Sequence, residues 1–193
     1  MIERPESALW VAAQQILVRG LMALKFLIAA RLLGPEQIGL VGIALLSLAI
    51  VEAMTDTGIS QAVIQHKNKI GSDEAGAAWT LQLFRGVALS ILLVVLATPI
   101  SLFFDSADSA GLIIVSAVIP ILKNAINPGL FITQRERNFK KISFYESSAS
   151  LVDFIVSLTL IKLGFGVISI LIGSITAEAL KLTFTWSWLK IKI

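Results

Sequence analysis

The chain has 193 residues, of which 56% are hydrophobic and only 15% charged, with a formal net charge of +3. Ordinary soluble domains carry roughly 25% charged residues, so this composition lacks the polar shell that an aqueous-phase enzyme needs. Cysteine is absent and His66 is the single histidine, which excludes disulfides and argues against metal centres built on thiolate or imidazole.

Six apolar stretches are predicted to be helices crossing a bilayer, where each span needs about 20 apolar residues. The start, Met1-Ile2-Glu3-Arg4-Pro5-Glu6, lacks the basic region of a signal peptide, so the first helix is expected to be retained. That span runs over residues 9–33 and stops at Gly34-Pro35, a strong helix terminator. The second covers 38–65 and ends in His66-Lys67-Asn68-Lys69. The third covers 77–98 and is expected to stop at Pro99. After a loop with Asp105 and Asp108, the fourth covers 111–133, with Pro120 and Pro128 placed to bend it. A charged run from Arg135 to Lys141 separates it from the fifth span, 144–163. Gly164-Phe165-Gly166 turns the chain into the sixth, 167–189. The expected fold is all-α, a polytopic membrane bundle forming one domain over residues 1–193. Short connections make consecutive helices expected antiparallel neighbours.

Basic residues set the orientation. Arg4, Lys67, Lys69, Arg135, Arg137, Lys140, Lys141, Lys190 and Lys192 fall on one side. Arg31 and Lys162 fall on the other, beside Glu36, Asp105 and Asp108. Trp10, Trp79, Trp186, Trp188 and Tyr145 all fall at helix ends on the basic side, where amphipathic rings favour the interface. Both termini are therefore expected in the cytoplasm.

The informative residues are the charges inside the spans, since an ionised side chain at the bilayer centre costs about 2.5–3.5 kcal/mol on insertion scales. Arg19, Lys25, Arg85 and Lys123 lie in the first four spans, where Glu52 and Asp56 are the acidic residues available to offset them. Either these cations pair between helices, or they line a cavity that attracts anions. Glu52 and Asp56 are four apart and share a helical face. They either partner a nearby cation or hold a coupling cation or proton. In helix four, Lys123, Asn124 and Asn127 fall on one side. In helix six, Glu178 and Lys181 are three apart and are expected to neutralise each other, while Glu146 is expected to be solvated near the interface. No phosphate-cradling loop, nucleophile motif or paired metal ligands are present, and nothing in the sequence calls for a cofactor or nucleic acid.

Four stretches carry a family resemblance. Ala30-Arg31-Leu32-Leu33-Gly34-Pro35-Glu36-Gln37-Ile38-Gly39 resembles the first loop of bacterial polysaccharide exporters, and Asp56-Thr57-Gly58-Ile59-Ser60-Gln61-Ala62-Val63-Ile64-Gln65 the end of their second helix. Pro128-Gly129-Leu130 through Gln134-Arg135-Glu136-Arg137-Asn138-Phe139, and Leu163-Gly164-Phe165-Gly166, resemble the connections flanking their fifth helix. The similarity is to Wzx-type lipid-linked oligosaccharide flippases of the multidrug/oligosaccharidyl-lipid/polysaccharide superfamily. The resemblance implies a non-enzymatic transporter in the bacterial inner membrane. Its cargo would be a polyprenyl-pyrophosphate-linked oligosaccharide for O-antigen, capsule, lipopolysaccharide or exopolysaccharide synthesis. It further implies alternating access between two six-helix lobes, with Arg19, Lys25, Arg85 and Lys123 attracting the pyrophosphate. Family members carry at least twelve helices, so this chain is expected to be the N-terminal half, either a truncated product or one that pairs with a second lobe or with polysaccharide assembly proteins. A drug or metabolite exporter of the same superfamily, or a non-transporting membrane partner, is the alternative.

Overall fold

The computed structural model describes residues 5–55, 72–130 and 139–188. Among them the chain is helical throughout: α1 (Pro5–Leu33), α2 (Pro35–Met54), α3 (Ser72–Phe103), α4 (Ser109–Ser116), α5 (Val118–Asn124), α6 (Phe139–Lys162) and α7 (Ile168–Trp188). An all-α membrane bundle is thus the observed fold. Four helical stretches are long and apolar enough to cross a bilayer: Pro35–Met54, Gly76–Phe103, Lys141–Lys162 and Ile168–Ser187. Helix α1 is not among them. Its length suffices, but Gln14, Gln15, Arg19 and Lys25 dilute its apolar character.

Local chemistry explains where the helices break. Gly34 takes φ +85°, a left-handed conformation open to glycine at little steric cost, and Pro35 then opens α2. Gly164 and Gly166 at φ +87° and +68° make the turn between α6 and α7. The fourth span is split. Pro120 has no N–H to offer the Ser116 carbonyl, and α4 gives way to α5 at Ala117. Pro99, by contrast, does not end α3, which continues to Phe103. The helix accommodates this proline, as spanning helices can, and just beyond it the Ser101 hydroxyl donates to the Thr98 carbonyl at 2.9 Å.

The core joins every helix. Ala29 of α1, Val41 and Ala44 of α2, Leu89, Leu93 and Ala97 of α3, Ile113 of α4, Ile119 of α5, Ile161 of α6 and Ile170 and Leu171 of α7 belong to one buried cluster. Alanines at several contact points let backbones approach closely, which is how helices gain dispersion energy in lipid. Gly86 shows the same device. A Cβ there would lie 2.8 Å from both the Pro120 carbonyl and the Asn124 Cβ, so α3 and α5 need a glycine at their contact.

Helix α7 sits centrally, against α2, α4, α5 and α6, whereas α1 packs on α2 and α6 at one edge. The expectation that consecutive spans are neighbours holds for α1–α2 and α6–α7. It does not hold from the fourth to the fifth span, because α6 packs on α1 and α7 as its main partners. The reason is polar: Ser143 reaches the Trp10 carbonyl at 3.3 Å and Gln14 at 3.4 Å, and a buried ion pair joins α1 to α6 further along.

Candidate functional site

The candidate cations do not converge on one site. Lys25 is the most deeply buried. Its Nζ donates to Asp153 Oδ2 at 2.6 Å, with the two side chains 4% and 20% exposed. Asp153 Oδ1 accepts from the Ser157 hydroxyl at 3.2 Å. Helix α7 can come this close to α6 because residue 173 is glycine: a Cβ there would strike the Ser157 hydroxyl and lie 2.8 Å from the Asp153 carbonyl oxygen. The pair lines a pocket of about 210 Å³ with Val18, Met22, Leu45, Ser150 and Ser174. Within that pocket the positive charge of Lys25 is cancelled.

A second centre lies where α2 ends. Lys123 Nζ donates to both carboxylate oxygens of Glu52, at 3.1 and 2.8 Å. Arg85 Nη2 donates to the Glu52 backbone carbonyl at 3.0 Å. That carbonyl belongs to the last turn of α2, where it also accepts the Thr55 N–H at 3.4 Å and the Thr55 hydroxyl at 3.3 Å, and where the helix dipole favours a cation. Among the described residues, two cations therefore stand against one carboxylate. The Arg85 Nε is buried and makes no hydrogen bond to the described residues. Lys123 is about half exposed, with its side chain at 51%. Asp56, the expected companion of Glu52, lies outside the described residues, as do His66 and the stretch of the second span beyond Thr55.

Arg19 differs from both. It sits at the midpoint of α1, is exposed, and has no carboxylate partner among the described residues. Gln15, one turn away, is exposed with it.

The asparagines expected on a polar face of the fourth span serve the fold. Asn124 Nδ2 donates to the Pro120 carbonyl at 2.8 Å, and Asn127 is fully buried, its backbone N–H donating to the Thr185 hydroxyl oxygen at 3.4 Å. Just before it, the Ala125 carbonyl accepts the indole N–H of both Trp79 (3.2 Å) and Trp186 (3.1 Å), whose rings meet edge to face at 5.8 Å. Ala125 follows the last residue of α5, so the two indoles satisfy one of its helix-terminal acceptors. They also place the tryptophan-bearing ends of α3 and α7 at the same end of the bundle.

Besides Lys25–Asp153, sequence reasoning missed a second pair between helices. Glu146 was expected to be solvated. Instead it pairs with Lys181 at 3.1 Å, in addition to the expected Glu178–Lys181 pair at 3.2 Å. The register of the α6–α7 hairpin about the Gly164–Gly166 turn brings Glu146 opposite Lys181, and that register was the available signal. Among the described residues, no group of three or more His, Cys, Asp or Glu side chains is placed to hold a metal ion.

The chain is similar to an uncharacterized membrane protein in the cps region of Klebsiella pneumoniae, 28% identical over 77% of this chain. It is also similar to lipopolysaccharide biosynthesis protein WzxC of Escherichia coli, 26% identical over 76%. A third relative is the succinoglycan biosynthesis transport protein ExoT of Rhizobium meliloti, 26% identical over 79%. These alignments cover only 30%, 30% and 31% of the respective relatives. No solved structure matches. Residues 28–193 match the family described as polysaccharide biosynthesis protein, and this multi-pass membrane chain belongs to that family.

Proposed function

We propose that the chain supplies a six-helix part of a transporter that moves a polyprenyl-pyrophosphate-linked oligosaccharide across the bacterial inner membrane, with both termini in the cytoplasm. A second helical lobe completes the pathway. No covalent step is needed, because the lipid tail stays in the bilayer while the polar head crosses.

The observation that carries this reading is Arg19. A guanidinium midway along α1 costs about 2.5–3.5 kcal/mol or more if it faces hydrocarbon. Its face is therefore suited to water, anionic cargo or another polar protein surface. Arg85 and Lys123 add to the attraction, since guanidinium and ammonium groups make strong charge-assisted bonds to phosphate. Lys25, held by Asp153, contributes position more than net charge. With Glu52 engaged by Lys123, a coupling role for it requires that this pair open during the cycle. The relatives named for lipopolysaccharide and succinoglycan biosynthesis support the class of cargo.

The test is replacement of Arg19 by Gln in cells whose polysaccharide export depends on this gene. Losing one charged hydrogen-bonding group on the cargo corresponds to about 1.5–3 kcal/mol. Export should therefore fall roughly tenfold or more, with the amount of protein in the membrane unchanged. Normal export by both Arg19→Gln and Arg85→Gln, at normal protein levels, would refute the cationic pathway.

A further inference from the structure

Helix α1 has 29 residues, about 43 Å at ~1.5 Å per residue. A bilayer with its head-group layers measures about 40–45 Å, so α1 reaches from one aqueous surface to the other. Trp10 lies about 7 Å from the start of α1, at the boundary between head groups and hydrocarbon, and Leu17 lies about 10 Å deeper. Together with Phe144, Ser147, Gln14 and Ser143 they line an open notch of about 280 Å³ on the seam between α1 and α6. Trp10, Leu17 and Phe144 each leave about half their surface exposed there.

The notch changes character with depth. Its inner part is apolar, at Leu17 and Phe144. Ser147 is half-buried, and its hydroxyl makes no hydrogen bond to the described residues. A hydroxyl bordering hydrocarbon needs an acceptor, and the ester oxygens of a lipid lie at this depth. The rim is basic. Lys141 is exposed in the first turn of α6. Lys140 precedes Ser143, Phe144 and Ser147 by three, four and seven residues, the spacing of one helical face. From Arg135 to Lys141 the sequence sets Arg135, Arg137, Lys140 and Lys141 beside Glu136. Glu146, further along α6, is held by Lys181 at 3.1 Å.

These features select one kind of occupant. A soluble anion has no use for the apolar depth, and an apolar partner helix has none for the basic rim. The volume lies just below the usual range for pockets that enclose a small molecule, about 300–1,000 Å³, which suits one stretch of acyl chain whose head group stays outside. We propose that the α1–α6 notch binds an anionic glycerophospholipid from the leaflet at this end of the bundle. Its phosphate lies among the lysines that open α6, where a juxtamembrane cation attracts anionic lipid. Ser147 donates to an ester oxygen, and one acyl chain runs past Trp10 along Leu17 and Phe144. The lipid fastens the first turns of α1 to α6, the two helices that Lys25 and Asp153 join further along. Arg19 stands nine residues from Trp10, on the opposite face of α1, so the site does not rest on the export reading.

The experiment uses the full chain in nanodiscs of phosphatidylcholine, to which phosphatidylglycerol or phosphatidylcholine with brominated acyl chains is added at rising mole fraction. Bromine quenches tryptophan fluorescence on contact, and subtracting the quenching of Trp10→Phe isolates Trp10 from the other three tryptophans. Brominated phosphatidylglycerol should quench Trp10 saturably, at a severalfold lower mole fraction than brominated phosphatidylcholine. Ala13→Phe, which fills the notch from an exposed position, should remove the saturable component. Lys140→Gln combined with Lys141→Gln should lower the preference by up to about fivefold for each lysine. If the lysine variant inserts poorly, Ala13→Phe decides alone, because it leaves every charge in place. Equal quenching by the two lipids would mark ordinary boundary lipid and overturn the proposal. A preference untouched by Ala13→Phe, or untouched by loss of both lysines in well-inserted protein, would overturn it as well. So would protection of Trp10 from both lipids in a dimeric chain, which would put protein in the notch.

Discussion

Replacing Asp153 with Asn should destabilise the bundle far more than replacing Glu52 with Gln, although each change removes one carboxylate from one ammonium. Lys25 is buried to 4% exposure in its pair, whereas Lys123 is 51% exposed in its own. Removing one partner of a buried ion pair strands a charge, at about 3–5 kcal/mol. Asp153 is 20% exposed, so some water reaches the pair, and about 3 kcal/mol, the low end of that range, is the expected loss. For the exposed pair about 1 kcal/mol or less is expected. Stability is read as the midpoint of unfolding in mixed micelles of rising denaturing-detergent content, followed by tryptophan fluorescence. A third variant separates lost attraction from stranded charge. Lys25→Met combined with Asp153→Leu removes both charges and should recover most of the loss. If Asp153→Asn moved the midpoint no further than Glu52→Gln, the buried pair would not be what fastens α1 to α6. If the double variant were worse than Asp153→Asn, the stranded charge would not be the cause.

Gly86→Ala should cost about 1–3 kcal/mol, the range for overpacking a tight contact, because the added Cβ meets a backbone carbonyl that cannot rotate away. The same unfolding assay reads it, and a wild-type midpoint would show that α3 and α5 do not touch there. The chain has no cysteine, so single cysteines report topology without background. With both termini cytoplasmic, Asp108→Cys should react with a membrane-impermeant thiol reagent in intact cells, and Lys141→Cys only after permeabilisation. The reverse pattern would invert the orientation.

The helices were legible in the sequence because apolar length, Gly-Pro punctuation and the Gly164–Gly166 turn are local signals. The charge partners were legible only in part. Glu178 and Lys181 could be paired from their spacing on one helix, since three residues apart share a face. Lys25–Asp153 and Lys181–Glu146 join different helices, and spacing along one helix says nothing about such contacts. Arg85 bonds a backbone carbonyl rather than a side chain, an acceptor that every residue offers and no sequence pattern marks. Pro99 was over-read as a stop, because proline disfavours helix interiors in water but is tolerated in spanning helices where neighbouring groups restore the lost contact.

The placement of the charges explains why they were ambiguous in the sequence and why their roles diverge in the fold. Helix α7 is central, and its charges are met on the adjoining hairpin arm. Helix α1 is at the edge, so it has one face against α2 and α6 and another on which none of the other described helices packs closely. Lys25 falls on the first face and finds Asp153. Arg19 falls on the second and finds no acid among the described residues. Rotating α1 to bury Arg19 would withdraw Lys25 from Asp153, so the described helices do not satisfy both cations at once. The edge position of α1 thus leaves Arg19 to be met by something other than these helices, and anionic cargo or a second lobe has the chemistry that meets it.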